Sequence, residues 1–415
     1  MSIFFSNAIS KFFNRDAASS AQASVESIAA FDFESWNLMG RQKAKGVCIA
    51  LEDAIDRETD TDEEFTDDER SEEFADAVLD EVKTLNDEGQ WQQARARFDP
   101  AYAPCISHLG DLGLHAVVIL GAERFLVRLG DEVLHISGSE VMPVEGASMF
   151  AMACNRRWLV LATDKGLEVP TGLDAQTHQT IAWPEGVAVD PSTILSLGIA
   201  DDGRSVVLAS DSFGIWIVKE GMWTALAPRA GIGVGVGDDE AELQKDDGVR
   251  NLGDGMCPVY FGSYADIKAK FGGPLGIDNT HVAISPDGQY LAYGWQDADD
   301  APNADEFLRA YGMTLLPGAP FGLDEPVAWI GGAGWSHAVP LSGGKPVFTH
   351  HLGSALRSFD YDPVSQRVAI ASASGILHVL DLFCESDEGR ERGYHPRREL
   401  FRWIFWETLD VPIRW

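Results

Sequence analysis

The spacing of apolar residues divides the chain into two parts, and the first hundred residues follow a helical period. One apolar stripe comprises Trp36, Met39, Val47, Cys48, Leu51 and Ile55, and an i, i+4 pattern comprises Phe74, Ala75, Val78, Leu79 and Val82. Ser71, followed by two glutamates, is a suitable start for the second helix. We therefore predict a helical segment over residues 1–100.

After Pro100 the pattern is typical of strands, because short apolar runs alternate with Gly, Asp and Asn turns. A unit of two alternating strands recurs, and its copies begin at Arg124, Arg157, Arg204, Gln289 and Arg367. Asp-Gly turns precede two of the copies, in ADDGR at 200–204 and SPDGQ at 285–289. Asp-Gly favours a hairpin because both residues tolerate a positive φ.

The copies start 33, 47, 85 and 78 residues apart. The two long intervals are near twice the ~40 residues of a four-stranded propeller blade, which predicts one further blade in 221–280 and another in 300–350. We therefore predict a mostly β fold. Residues 101–415 would form a six- or seven-bladed β-propeller, preceded over residues 1–100 by an acidic α-helical segment.

These repeats resemble bacterial WD40-like and TolB-like β-propeller repeats, above all in ILSLGIADDGRSVVLASDSFGIWIV at 194–218. The resemblance extends from about residue 110 to residue 415, and it implies an architecture rather than an activity. The chain departs from the eukaryotic WD40 pattern, since it has no Gly-His opening and only Leu380-Asp381 approaches the Trp-Asp ending. Partners of eukaryotic WD40 proteins are therefore not carried over to particular residues.

The last segment alternates apolar and polar residues twice, at Phe401, Trp403 and Phe405 and again at Val411, Ile413 and Trp415. We predict two strands that close the ring by pairing with the first blade. The alternative is an exposed aromatic surface that docks a partner.

The net charge of the chain restricts the classes of macromolecule that it is expected to bind. The chain has 65 acidic residues against 32 Lys and Arg, a net charge of −33, and such a surface repels nucleic acid and anionic lipid. Residues 52–81, the acidic segment, hold sixteen acids against Arg57 and Arg70. A basic protein partner is expected to bind its central acids, unless the charge serves only solubility. These acids are Asp60, Asp62, Glu63, Glu64, Asp67, Asp68 and Glu69.

Three segments partly match nucleotide-binding, catalytic or calcium-binding motifs, but each lacks residues or neighbouring structure that its motif requires. The glycine run at 231–237 is followed by three acids and contains no Gly-Lys-Ser/Thr, so a nucleotide loop is not expected. Gly334–Ala338 is one residue short of a nucleophile elbow for Ser336, and the residues after Ala338 cannot continue as a helix. The acids from Asp60 to Glu64 lack the glycine of a calcium loop, because Phe65 occupies the sixth position.

Neither a metal nor a cofactor is predicted. The five cysteines are scattered without a C-x-x-C pair, and His350 and His351 would point to opposite faces of a strand. The start of the chain has no basic region ahead of a continuous apolar run, and no run of ~18 apolar residues is present. We therefore expect a cytoplasmic location. The basic loop Gly389–Arg398, with Arg402, is expected to pair with the acidic segment.

The sequence favours a non-catalytic protein that binds a macromolecule. Its most specific form is a neutralising, immunity-type partner of a basic bacterial toxin or effector, and a general interaction scaffold is the alternative. A hydrolase or lyase that uses Asp and His residues in the central channel is a third hypothesis. A further hypothesis is that residues 1–100 form a detachable module.

Overall fold

The structure is a computed structural model that describes thirteen stretches of the chain. They are residues 34–40, 42, 72–98, 113–170, 178–228, 250–251, 259–263, 265–266, 280–295, 312–343, 346–385, 397–405 and 412–415. Antiparallel sheets in these residues form six blades around one axis. The fold is therefore mostly β, a six-bladed propeller.

The first three blades follow the chain, and each begins with the strand nearest the axis. Blade 1 contains β1 (Leu114–Gly121), β2 (Arg124–Leu129), β3 (Glu132–Ser137) and β4 (Glu140–Pro143). Blade 2 contains β5 (Ala147–Met152), β6 (Leu159–Thr163), β7 (Gly166–Pro170) and β8 (His178–Ile181). Blade 3 contains β9 (Ile194–Ile199), β10 (Ser205–Ser210), β11 (Gly214–Lys219) and β12 (Met222–Pro228).

The last three blades are less regular. Blade 4 contains β13 (Arg250–Asn251), β14 (Val259–Ser263), β15 (Thr280–Ile284) and β16 (Tyr290–Trp295). Blade 5 contains β17 (Gly312–Leu316), β18 (Val327–Gly331), β19 (Ala333–Pro340) and the first half of β20 (Phe348–Asp362). Blade 6 contains the second half of β20, then β21 (Arg367–Ser372), β22 (Ile376–Glu385), β23 (Arg397–Ile404) and β24 (Ile413–Arg414).

Four of the five recurring two-strand units are confirmed, and each forms the second and third strands of a blade. The Asp-Gly turns that precede them differ from our expectation, because only the glycine has a positive φ, +67° at Gly203 and +69° at Gly288. The aspartates act through their side chains instead. Asp202 accepts the backbone N–H of Arg204 at 2.7 Å and of Ser205 at 2.8 Å. A side chain at Gly203 would also meet the ring of Trp158.

The blade predicted in 300–350 is present as blade 5, whereas the blade predicted in 221–280 is wrong. The described strands of that interval are β12, which ends blade 3, and β13 and β14, which belong to blade 4. In blade 4 the sheet order is β13-β14-β16-β15. The two outer strands therefore precede the inner pair along the chain, and the described strands of the long interval belong to blades 3 and 4.

The predicted closure of the ring is also wrong, because β23 and β24 pair with each other inside blade 6. Blade 1 meets blade 6 along β1 and β20 through side chains. The backbone N–H of Val117 donates to Ser358 Oγ at 3.2 Å, and that of Ile119 donates to Asp360 Oδ2 at 2.6 Å. The two strands are not paired with each other by backbone hydrogen bonds, and side-chain oxygens of β20 accept from the backbone N–H groups of β1 instead.

Two helices cover the outer strands of blade 6. Helix α1 (Glu72–Asp87) begins one residue after the predicted Ser71, and α2 (Trp91–Arg97) follows it. Their buried faces pack on the end of blade 6 together with Trp36, which lies in the helical residues 34–40. The cluster comprises Trp36, Val78, Leu79, Val82, Ala94, Phe98, Ile376, Ile404, Ile413 and Trp415.

The helices also hold the last strand by hydrogen bonds. The side-chain amide of Asn86 accepts from the N–H of Arg414 at 2.7 Å and donates to its carbonyl at 2.8 Å, as a neighbouring strand would. The Arg414 guanidinium lies over Trp91 and Phe401, 3.8 and 4.0 Å from their ring centroids, and bonds Glu123 of blade 1 at 3.0 Å. Arg414 thus joins the helices, blade 6 and blade 1.

A buried ion cluster lies beneath this contact. Glu399 accepts two hydrogen bonds from Arg402, at 2.8 and 2.7 Å, and one contact of 3.1 Å from His378. Burial alone would raise the pKa of Glu399, but Arg402, His378 and Arg95 outweigh it and hold that pKa well below the usual range. Arg402 therefore pairs within its own strand, not with the acidic segment as expected.

The aromatic residues of the last strands are buried, so the alternative of an exposed docking surface is wrong. Trp415 is fully buried, and its indole N–H donates to the carbonyl of Phe98 at 3.0 Å. Phe401 packs edge-on against Phe125 of blade 1, with ring centroids 6.2 Å apart. These aromatic side chains therefore pack inside the closed propeller and are not exposed to a partner.

Replacing Trp415 tests this packing. We expect Trp415→Ala to lower the free energy of unfolding by about 3–5 kcal/mol, because it empties a buried indole site and removes the hydrogen bond that the indole donates to the Phe98 carbonyl. Urea unfolding of the whole chain measures the change. Val364→Ala, at an 87% exposed position, is the control and should change stability by no more than about 0.5 kcal/mol. Equal effects of the two variants would contradict the packing.

Candidate functional site

Six innermost strands surround a channel along the propeller axis. They are β1, β5, β9, β15, β17 and the second half of β20, and their residues line a cavity of about 80 Å³, counted as room for the centres of water-sized molecules. The strands run side by side in one direction, since Val117 lies beside Ser358 and Ile119 beside Asp360. Their first residues therefore gather at one mouth and their last residues at the other.

The first mouth is lined by basic and hydroxyl side chains, and we name it the cationic mouth. It comprises His115, Ser196, His281, Arg357 and Ser358. The guanidinium of Arg357 lies 2.7 Å from His115 Nδ1 and 3.3 Å from its Nε2. A guanidinium only donates, so the shorter contact makes Nδ1 the acceptor and places the ring proton on Nε2.

Both histidines of this mouth are neutral. Burial, and then the charges of Arg357 and Arg128, lower the pKa of His115 to about 3. Burial and Arg357 lower the pKa of His281 to about 4. Desolvation disfavours the charged imidazolium, and a nearby guanidinium disfavours it further. At neutral pH both imidazoles are therefore uncharged beside the Arg357 guanidinium.

Arg128 fixes the position of the cationic mouth. Its side chain is buried and crosses from blade 1 to blade 3, where it donates to the carbonyls of Ser192, at 2.7 Å, and Ile194. It also donates to the carbonyl of Gly130 at 3.0 Å. Burial lowers the pKa of Arg128, although Asp131 opposes the shift. This arginine is a structural tie that also adds positive charge near His115.

The opposite mouth is closed by an ion pair. Arg156, in the turn between β5 and β6, donates to Asp360 Oδ1 at 2.7 Å and to the carbonyl of Ile119. The backbone of Arg156 has φ +61°, an unusual conformation for a residue with a side chain. Burial would lower the pKa of Arg156, but Asp360 raises it above the usual value. The guanidinium therefore stays charged, and the ion pair joins blades 1, 2 and 6.

The channel contains titratable groups, as the enzyme hypothesis requires, but their states do not favour catalysis. Burial and the charges of Asp201 and Asp360 raise the pKa of the Cys154 thiol to about 12, so it is not a thiolate at neutral pH. Asp360 is engaged by Arg156, and histidines with a pKa near 3 or 4 are weak bases. The arrangement suits recognition of a charged group more than proton transfer.

The residues predicted from sequence lie elsewhere. The seven central acids from Asp60 to Glu69 lie outside the described residues, as does the glycine run at 231–237. Ser336 lies inside strand β19, so the strand-to-helix turn of a nucleophile elbow is absent there. His350 and His351 belong to β20, and their side chains lie outside the described set. In the described residues, no group of three or more His, Cys, Asp or Glu could hold a metal ion.

Sequence reasoning missed the cationic mouth. Its signal is a basic residue at the start of an otherwise apolar inner strand, as in LHAVV at 114–118 and HVAI at 281–284. Each such residue alone fits the alternation of a strand. Only the propeller ring brings β1, β15 and β20 together at one mouth.

Comparisons with known proteins find only low similarity to solved structures. No protein-family model matches the chain, and no curated protein matches it by sequence. Among solved structures it is similar to the WD40 β-propeller domain of Doa1 (TM-score 0.36, 14% identity, 67% of this chain and 94% of that chain). It is also similar to Saccharomyces cerevisiae Sqt1 (0.33, 11%, 66% and 83%) and to Kluyveromyces lactis Hsv2 (0.29, 9%, 72% and 80%).

Within the described part of the chain, no helix combines the length and the apolar character needed to cross a membrane.

The buried histidines predict a pH dependence of stability. Burial also lowers the pKa of His337, to about 4, and that of His378. An unfolded histidine has a pKa of about 6.5, so below that pH the unfolded chain takes up protons that the folded chain does not. The free energy of unfolding should therefore fall between about pH 6.5 and 4, by up to about 1.4 kcal/mol per pH unit for each of His115, His281 and His337.

Urea unfolding at about pH 7, 6 and 5 measures this slope. His281→Gln should reduce the slope by up to about 1.4 kcal/mol per pH unit, because it removes one of the groups that titrate only in the unfolded state. An unchanged slope in this variant would contradict a neutral His281 in the folded chain. The urea m-value serves as the control that both chains unfold from the same compact state.

Proposed function

We propose that this chain is a non-catalytic protein-binding propeller whose partner is a basic protein. The observation that carries the proposal is the attachment of the acidic segment to the ring. Val78, Leu79 and Val82 of α1 are buried against blade 6, and the seven central acids end three residues before α1 begins. A dense negative charge is thus tied to the rim of a rigid ring.

Charge of this density favours encounter with a basic surface. The acidic segment has a net charge of −14, and a field of one sign raises the rate of association with an oppositely charged protein. The blades then offer loops on two faces for the close contact that sets specificity. We propose two steps for this chain: attraction by the acidic segment, followed by docking of the partner on the propeller.

The most specific form of this proposal is that the chain neutralises a basic toxin or effector by binding it. A basic toxin or nuclease-type effector commonly carries its positive charge where it meets its own anionic target, and an acidic protein that covers this surface would block it. An immunity-type partner needs binding but no chemistry of its own, which agrees with the states of the channel groups. A general interaction scaffold in the cytoplasm is the second candidate, and it shares the charge argument.

The division into residues 1–100 and residues 101–415 remains part of the proposal. The helical residues pack on Ile376, Ile404 and Ile413 of blade 6, so we propose that this segment works as a fixed part of the propeller and not as a detachable module. Its role would be to cover blade 6 and to present the acids beside it.

The test is capture of the tagged full chain from its native cell at low and high salt, with mass spectrometry of the bound proteins. An acidic-segment variant replaces the seven central acids by their amides. A blade variant makes the same change of charge at seven exposed acids of the blades. Those control positions are Glu132, Glu140, Glu145, Asp164, Glu185, Glu220 and Asp324.

We expect a stoichiometric basic protein to bind the wild type and the blade variant at low salt. The acidic-segment variant should associate with it at least about tenfold more slowly, since its long-range attraction is reduced. If the captured partner is a toxin, an equimolar amount of this chain should abolish its activity. Equal losses in both variants would contradict a specific role of the segment, and absence of any stoichiometric partner would contradict the proposed function.

A further inference from the structure

The outermost strand of blade 3 differs from those of blades 1, 2, 4 and 6. Strand β12 has seven residues, whereas β4 and β8 have four each and β13 and β24 have two each. Asn86 of α1 covers β24, and β4 ends at Pro143, which has no N–H to offer a further strand. A long outer strand without such protection is a template for pairing with another chain.

The register between β11 and β12 determines which backbone groups of β12 face outward. Lys219 pairs with Met222 across a two-residue turn, and from such a turn hydrogen-bonded and non-hydrogen-bonded pairs alternate along an antiparallel ladder. Thr224 therefore bonds to β11, whereas the N–H and C=O groups of Trp223 and Ala225 point away from the blade. Among the described residues, none forms a hydrogen bond with these outward groups.

A partly exposed group of three tryptophans lies beside this strand, between blades 2 and 3. The ring centroid of Trp223 is 5.5 Å from that of Trp183 and 6.2 Å from that of Trp216. Each indole N–H donates to a backbone carbonyl, at 2.7, 3.0 and 2.7 Å respectively. The rings are therefore held in place and offer apolar surface. On the opposite face of β12, Met222 is 70% exposed.

The charges along the chain around β12 favour a basic occupant. The strand itself has no charged residue, Glu220 is exposed in the turn before it, and Glu185 is exposed two residues after Trp183. Lys219 donates its Nζ to a carbonyl of blade 4 at 3.2 Å. In the sequence, residues 229–249 hold six acids against two basic residues. A second copy of this chain, with its net charge of −33, would be repelled, whereas a basic segment would be attracted.

We propose that β12 is the docking site for an extended basic segment of the partner protein, which pairs with it as a fifth strand of blade 3. The outward backbone groups of Trp223 and Ala225 supply the main-chain hydrogen bonds of this pairing. Alternate side chains of the segment are apolar and pack beside the tryptophans, and those on the face of Met222 carry the positive charge. The basic character of the segment rests on the proposed function, whereas the pairing itself follows from the free edge of β12.

The test uses the full chain and a blocked peptide of alternating lysine and valine, with a matched peptide that is N-methylated at its valines. Fluorescence anisotropy of the labelled peptides measures binding. We expect the first peptide to bind saturably and the second, which has the same charge but lacks the N–H groups that face β12, to bind at least about tenfold more weakly.

Amide hydrogen exchange of the wild-type chain shows where the peptide binds. At saturation the amides of Trp223 and Ala225 should exchange at least about tenfold more slowly, because they gain a hydrogen-bond partner. The amide of Thr224 is the internal control, since it already bonds to β11 and should keep its rate.

Two matched variants test the charge at the strand. Met222→Lys places a positive charge on the exposed face of β12 and should weaken binding of the lysine–valine peptide by at least about tenfold. Val364→Lys adds the same charge at an 87% exposed position in blade 6 and should leave binding within about twofold of the wild type. Both positions are exposed, so both variants are expected to fold.

Four outcomes would overturn the docking site. They are equal binding of the two peptides, equal weakening by the two variants, unchanged exchange at Trp223 and Ala225, and a dimer of the free chain that Met222→Lys dissociates, which would make a second copy the occupant. Peptide binding at β12 without capture of a basic protein from the cell would contradict the proposed function alone. A captured basic partner that binds Met222→Lys and the wild type equally would overturn the docking site alone.

Discussion

The structure depends on how the innermost strands satisfy the backbone N–H groups on their free edges. Each inner strand pairs with its own blade on one side only, so the other edge needs acceptors that no strand supplies. Side chains of the neighbouring inner strand provide them: Ser196 for Val282, Ser358 for Val117 and Asp360 for Ile119. Because Asp360 brings a buried charge, it requires Arg156, and that ion pair closes one mouth of the channel.

The same constraint explains the role of the helices. Blade 6 takes all its strands from the end of the chain and blade 1 takes all of its strands from residues 114–143, so no strand is shared across the closure. Strand β24 is then an outer edge, and Asn86 of α1 satisfies it while Arg414 reaches Glu123 of blade 1. The helices that cover this edge also lead back to the acidic segment. Ring closure and the position of the proposed attracting charge thus have one structural cause.

Local features of the fold were predictable from the sequence, whereas features that join distant segments were not. The two-strand units and the turns at Gly203 and Gly288 depend on neighbouring residues and on strand alternation, so their pattern is visible in the chain. The strand order of blade 4 was not predictable, because β14 (Val259–Ser263) pairs with β16 and not with β15, the next strand along the chain. The cationic mouth was missed for the same reason, since its residues come from strands far apart in sequence. The acidic segment was recognised by charge alone.

Amide hydrogen exchange of the intact wild-type chain tests most directly the claim that side chains close the ring. The amides to compare are those of Val117 and Ile119 between blades 6 and 1 and that of Val282 between blades 3 and 4. If the closure is as firm as an ordinary contact between blades, all three should exchange only through the same global opening, with the same free energy. Exchange of Val117 and Ile119 through a separate opening of lower free energy, while Val282 stays protected, would contradict the account.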